Sequence, residues 1–195
     1  MGDKSVQKKK YIIEKARGVF HKRGYRAVTM KDIVEACDIS RGGLYLYFSS
    51  TKELFEEILR QDNEAAYDVI EAARKKKSSP GEIMLIYLNE QKKEILKKKD
   101  NLSIATYEYL FENKSIDSEN LFKTDFEKNV SALEQLIADG VEQEWMVCDE
   151  PASAAKNIAF TLEGLKVASQ TIGVSAEVMD KEIEYIMSTL GMVVE

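Results

Sequence analysis

Arg41, Gly42, Gly43, Tyr45 and Tyr47 fall within seven consecutive residues and bring together one guanidinium fork, two positions without side chains and two phenols. None is a nucleophile with a base beside it, so the set suits recognition and not bond breaking. A guanidinium can donate two parallel hydrogen bonds to guanine in a major groove or clamp a phosphate, and for Arg41 the base contact is the favoured reading. Glycines cost a helix about 1 kcal/mol each relative to Ala, so something other than helix stability keeps Gly42 and Gly43 in place. Close approach to a DNA backbone would do so.

The elements that must position these residues are written in the stretch from Thr29 to Phe48, TMKDIVEACDISRGGLYLYF. Thr29 can cap a short helix whose apolar face is Ile33, Val34 and Cys37, with Asp32 near its N-terminal dipole. Asp38 tolerates a left-handed backbone and ends that helix, Ile39 points back to the core, and Ser40 caps the next helix. In that second helix Leu44 and Phe48 recur at i and i+4 and face inward, which leaves Arg41, Gly42, Gly43, Tyr45 and Tyr47 outside. The pattern is a helix-turn-helix.

Charge agrees with this placement once the chain is divided. The 195 residues carry a formal net charge of −6, but residues 1–50 hold 11 Lys and Arg against 5 Asp and Glu, whereas residues 51–195 hold 17 against 29. Basic charge is thus confined to the segment with the motif, and the acidic remainder is kept off phosphate by its own field. Lys8, Lys9 and Lys10 read either as a solvated helix end or as nonspecific phosphate contacts.

Enzymatic classes lack their parts. The chain has one histidine, His21, and no G-x-S-x-G, G-x-x-x-x-G-K or H-E-x-x-H pattern, which removes the usual hydrolytic, nucleotide-driven and zinc chemistries. Cys37 and Cys148 are isolated, so no metal or cofactor is expected, and a reducing cytoplasm fits them. No apolar run approaches the roughly 18 residues of a membrane span. Only two prolines and ten glycines, with abundant Leu, Ile, Glu and Lys, favour an all-α fold.

Thr29, Ile33, the Ile39-Ser40 pair, L-Y-x-Y-F from Leu44 to Phe48, and then Leu54 and Phe55 resemble the DNA-binding domain of tetracycline-repressor (TetR) family regulators. The resemblance implies that Tyr45 meets a base or thymine methyl, Tyr47 a phosphate, and Thr29 a phosphate through its hydroxyl or backbone N–H. Asp38 stands where the family usually has Gly. Thr51 stands where it usually has a phosphate-contacting Lys, and Lys52 is one residue late for that role. The DNA-contacting set is therefore Thr29, Ser40, Arg41, Gly42, Gly43, Tyr45 and Tyr47, with Thr51 or Lys52 at the next helix.

Helical periodicity continues along the chain. A first helix over residues 6–23 ends at Gly24, and Thr51 is expected to cap a long helix to about Lys77. Pro80 opens a helix that ends in the basic run Lys97 to Lys99, suited to a helix C-terminus, and Asn101 opens a short aromatic one. An irregular polar stretch over 113–120 precedes helices over about 119–142, 151–172 and 176–190. This gives nine helices and no strand, with a DNA-binding domain over 1–50 joined by a long helix to a ligand-binding and dimerisation domain over 51–195.

In the second domain Tyr87, Gln91, Tyr107, Phe111, Phe126, Asn129, Phe160 and Glu163 place polar tips among aromatic bodies, as in an apolar effector pocket. The last two helices carry more apolar surface than one thin domain needs, and Ile158, Leu162, Leu165, Ile172, Ile183, Ile186 and Leu190 are expected to form a two-fold dimer interface. The function implied is a cytoplasmic, homodimeric, ligand-responsive repressor of a palindromic operator. The alternative is a helical DNA-architectural or scaffold protein without an effector.

Overall fold

The computed structural model describes residues 3–97, 101–113 and 121–192. The polar stretch 114–120 and the lysines at 98 and 99 lie outside the described residues. Among the described residues there are nine α-helices and no strand: α1 (Asp3–Arg23), α2 (Met30–Cys37), α3 (Arg41–Tyr45), α4 (Thr51–Lys75), α5 (Pro80–Leu96), α6 (Ser103–Glu112), α7 (Leu121–Glu142), α8 (Pro151–Thr171) and α9 (Ala176–Thr189). No helix is long and apolar enough to cross a membrane among the described residues.

The chain divides into two compact units, one of Met1–Glu64 with Lys98–Lys114 and one of Ala65–Lys97 with Ser115–Glu195. This differs from a boundary at residue 50. The first half of α4 packs with the helix-turn-helix, and so does α6, which sequence order alone would assign to the second domain.

The first unit is built on aromatic rings. Ile12, Ala16 and Phe20 of α1 are fully buried, together with Ile33, Leu44, Leu54, Phe55 and Ile58. Phe20 meets Phe55 edge-on at 4.7 Å between centroids, and Tyr109 of α6 meets Tyr25 at 5.2 Å and Phe55 at 5.5 Å. The α6 helix is also fastened by polar groups. The Glu108 carboxylate accepts the backbone N–H of Tyr25 at 2.6 Å and of Arg26 at 3.1 Å, while the Tyr109 hydroxyl donates to Glu56 at 2.5 Å. Burial and that acidic neighbour push the Tyr109 phenol far above its ordinary value. Gly24 ends α1 at φ +73°, and a Cβ there would lie 2.5 Å from the Glu108 carboxylate, so both backbone sign and space require glycine.

Local signals set most helix ends. Pro80 occupies the first turn of α5, capped by Ser79 with Glu82 reaching back, and Ser175 caps α9. At α4 the cap is Ser50 and not Thr51. Ser50 Oγ accepts from the Glu53 N–H at 3.1 Å, and Glu53 accepts from the Ser49 N–H at 2.7 Å. Asn101 precedes α6 without being its N-cap residue, yet its side chain accepts from the Ser103 N–H at 2.7 Å.

The second unit packs α5, α7, α8, α9 and the end of α4 around aliphatic and thioether groups. Met84, Leu88, Leu133, Ile137, Ala155 and Met179 are buried at its centre. The buried Tyr87 meets the half-buried Asn129, and their hydroxyl and amide exchange hydrogen bonds at 3.1 and 3.2 Å.

Candidate nucleic-acid interface

The site begins with two caps. Thr29 Oγ1 accepts from the Asp32 N–H at 3.4 Å, and the Asp32 carboxylate accepts both the Thr29 N–H and its hydroxyl at 2.7 Å. The Thr29 hydroxyl, then its backbone N–H, and finally Arg23 hold the Asp32 carboxyl down at about 2. Both donors of Thr29 are engaged with Asp32 in this structure, where Thr29 caps α2, so either one would have to leave Asp32 to meet a phosphate. Asp38 closes α2 at φ 49° and ψ 49°, in the left-handed region expected of it.

Ser40 caps α3, its Oγ accepting from the Gly43 N–H at 3.1 Å. Leu44 and Phe48 are buried, at 0% and 2% exposure, and anchor the five-residue helix to the first core. The opposite side is open. Arg41 and Gly42 are exposed, Tyr45 is 42% exposed, and a Cβ added at Gly42 would meet nothing within 4 Å. Gly43 is half-buried and a Cβ there would sit 3.1 Å from the capping Ser40 oxygen, so the two glycines serve different ends. Tyr47 is half-buried against the first core and not wholly outward, because the chain turns out of α3 at Leu46.

Arg41 is singular among its kind. Arg17 pairs with Asp62, Arg23 with Asp32, Arg26 with Glu112, Arg60 with Glu57 and Arg74 with Asp139. Arg41 makes no ion pair among the described residues, and its guanidinium lies 5.5 Å from the centroid of the Tyr45 ring. Thr51 is half-buried at the first position of α4, and Lys52 is exposed and pairs with Glu56 at 3.8 Å. Of the N-terminal lysines, Lys9 is held by Glu57 at 3.1 Å and lies over the Phe48 ring, while Lys8 and Lys10 stay exposed.

Leu46 is 83% exposed beside Tyr45, an apolar side chain left in water that sequence reasoning passed over. Its signal was the variable position inside L-Y-x-Y-F. Cys37 is buried at the end of α2, with the Tyr11 hydroxyl donating to its carbonyl at 3.3 Å, and burial raises its thiol pKa.

The expected effector residues divide between the two units. Tyr107 and Phe111 belong to α6 and the first unit, with Phe111 63% exposed. In the second unit Tyr87 is joined to Asn129, Phe126 meets Phe160 at a tilt with 4.9 Å between centroids, Gln91 is half-buried, and Glu163 pairs with Lys166 one turn on. An open cleft of about 520 Å³ lies between the end of α4 and α7, lined by Ile70, Arg74, Lys128, Ala132 and Gln135 among others.

The expected dimer set is also redistributed. Ile158, Leu162, Ile183, Ile186 and Leu190 are buried in the second unit's own core, and Leu165 packs half-buried against it. Only Ile172, 87% exposed, remains fully outside. The outward apolar groups are Phe160 and Val167 of α8, flanking the open Gly164, and Val178 and Tyr185 of α9. The reason is geometric: α8 has two stripes of similar hydrophobicity, and the one facing α5 and α7 is used within the protomer.

Comparison with known proteins agrees with this architecture. Residues 12–58 match the family of bacterial regulatory proteins described as tetR family, and residues 83–179 match the tetracyclin repressor-like C-terminal domain. The HTH-type transcriptional regulator YfiR of Bacillus subtilis (strain 168) is 30% identical over 133 residues, covering 68% of this chain and 64% of that protein. The chain thus aligns with less than two thirds of that relative's length. The reduced form of NemR from E. coli superposes with a TM-score of 0.80 at 13% identity, covering 97% of this chain and 100% of that one. AibR, solved in complex with isovaleryl coenzyme A and operator DNA, gives 0.68 at 16% identity, covering 91% and 97%. Both halves of the molecule match one group of proteins, and the chain belongs to the TetR family of bacterial transcriptional regulators.

Proposed function

We propose that this chain is a homodimeric, cytoplasmic repressor that grips a palindromic operator with α3 of each protomer and releases it when a small apolar or amphipathic effector binds the second unit. The observation that carries the reading is Arg41, exposed on α3 and without a carboxylate partner among the described residues, while the other arginines are paired. A guanidinium whose donors are not held by a carboxylate is available to guanine O6 and N7. Family membership supports the reading, as does the AibR complex, which holds both an acyl coenzyme A and operator DNA.

A two-fold operator needs two motifs at fixed spacing, hence a dimer. Its interface is assigned to the outward stripe of Phe160, Gly164 and Val167 with Val178 and Tyr185, which leaves the five buried residues to the protomer core. Phe160→Glu combined with Val167→Glu is expected to give a monomer by sedimentation at micromolar concentration.

The test of the whole reading is selection of duplexes from a genomic library at low salt, followed by titration of the recovered duplex. Affinity is expected to fall steeply and linearly in log–log form with salt. Effector candidates that weaken the operator complex must themselves bind less well in its presence, by the same factor. Recovery of no duplex would overturn the regulator reading, and equal effector affinity with and without operator would overturn the release step.

A further inference from the structure

We propose that Tyr45 is a positioning residue for Arg41: its ring seats the guanidinium in the free protein, so that Tyr45 sets operator specificity through the arginine and not by its own contact with a base. The inference rests on the operator-binding reading above and deepens it.

The argument starts from what a DNA-reading arginine needs. Its side chain is long and loses rotamer freedom when it docks, and its five donors must be unoccupied when the base arrives. A carboxylate partner would order the chain but cover the donor edges, and the pair would have to break on binding. An aromatic face does the opposite, because the cation is drawn to the ring while its N–H bonds lie in the guanidinium plane and stay available. Five arginines of this protein have the first arrangement and Arg41 has the second.

Local geometry makes the seat specific. Arg41 and Tyr45 are i and i+4 on α3, so their side chains lie one above the other on the same face. Both are exposed, and the adjoining position on the open side is Gly42, where a Cβ would meet nothing within 4 Å. The pair is thus unobstructed from the solvent side. Beneath it, buried Leu44 and the Ser40 cap hold α3 to the first core, so the ring itself has a fixed base.

Four full-length variants test this: Tyr45→Leu, Tyr45→Phe, Arg41→Ala and the Tyr45→Leu/Arg41→Ala double. The probe is the duplex recovered by the wild-type protein from a randomised library, together with its single-base variants. Arg41→Ala identifies the base pair that the arginine reads. Tyr45→Leu is expected to reduce discrimination at that same base pair about two- to fivefold, Tyr45→Phe to retain it, and Tyr45→Leu to add nothing once Arg41 is gone. An equal loss from Tyr45→Leu in both backgrounds would show a direct ring contact with DNA and overturn the proposal, and so would a loss from Tyr45→Phe.

A second readout needs no DNA. The Arg41 side-chain Nε–H resonance of the free protein is expected to show a ring-current shift in wild type and Tyr45→Phe that disappears in Tyr45→Leu. An unshifted wild-type signal would overturn the seat while leaving operator binding standing. Recovery of no duplex alongside a shifted signal would overturn the specificity role together with the regulator reading.

Discussion

The two units bury different chemistry. The first is centred on Phe20, Tyr25, Phe48, Phe55 and Tyr109, rings that meet at fixed angles and are tied by Glu108 and Glu56 to backbone and hydroxyl. The second buries Met84, Met146, Met179 and Met187 among Leu and Ile, with Tyr87 as its buried ring. Aromatic pairs hold preferred geometries, whereas unbranched thioethers repack around irregular shapes with little loss. A surface that must match a DNA groove is thus mounted on the stiffer core, and the region assigned to effectors on the more adaptable one.

The largest test of this contrast is stability. Phe55→Leu should cost more by urea denaturation than Met84→Leu, which should cost less than about 1.5 kcal/mol, though both parent side chains are fully buried. Equal costs would break the comparison. Next is recognition: Arg41→Ala should remove about 1–3 kcal/mol of discrimination at one base pair, measured by competition between duplexes, while leaving the melting temperature unchanged. Smaller still, Gly42→Ala should stabilise the first unit by up to about 1 kcal/mol yet weaken operator binding, since open space in the free protein is where DNA would come. Stabilisation without loss of binding would show that Gly42 has no part in the approach.

The smallest effect is a pH dependence at the α2 cap. The folded Asp32 pKa of about 2 lies below its ordinary 3.8, so the ionised form favours the folded state. That contribution is complete above about pH 3.8 and is lost as pH falls through about 2. The stability gap between wild type and Asp32→Asn should therefore narrow over this window, and a constant gap would locate the effect elsewhere.

What was legible in the sequence was local. The caps at Thr29 and Ser40, Pro80 in the first turn of α5 and the left-handed Asp38 depend on neighbours within four residues, and periodicity set the inward Leu44 and Phe48. The miss at Thr51 was avoidable: Ser50 has Glu53 three residues on, the capping-box spacing, and Thr51 does not. The docking of α6 was not legible. It hangs on Glu108 meeting the backbone of Tyr25, 83 positions away, and on Tyr109 meeting Glu56. Nor could periodicity tell which apolar stripe of α8 lies inside, because Ile158 with Leu162 and Phe160 with Val167 are equally helical. Only the positions of α5 and α7 decide that.

The buried Cys37 makes the DNA-binding unit its own stopwatch. Its thiol is shielded and its raised pKa keeps it protonated at neutral pH, so an alkylating reagent reaches it only when α2 lifts from the first core. Cys148, half-buried in the second unit, should be modified first and mark the reagent's access to the folded protein. The lag between the two labels, followed by intact mass, times the opening of the helix-turn-helix without any probe being engineered in.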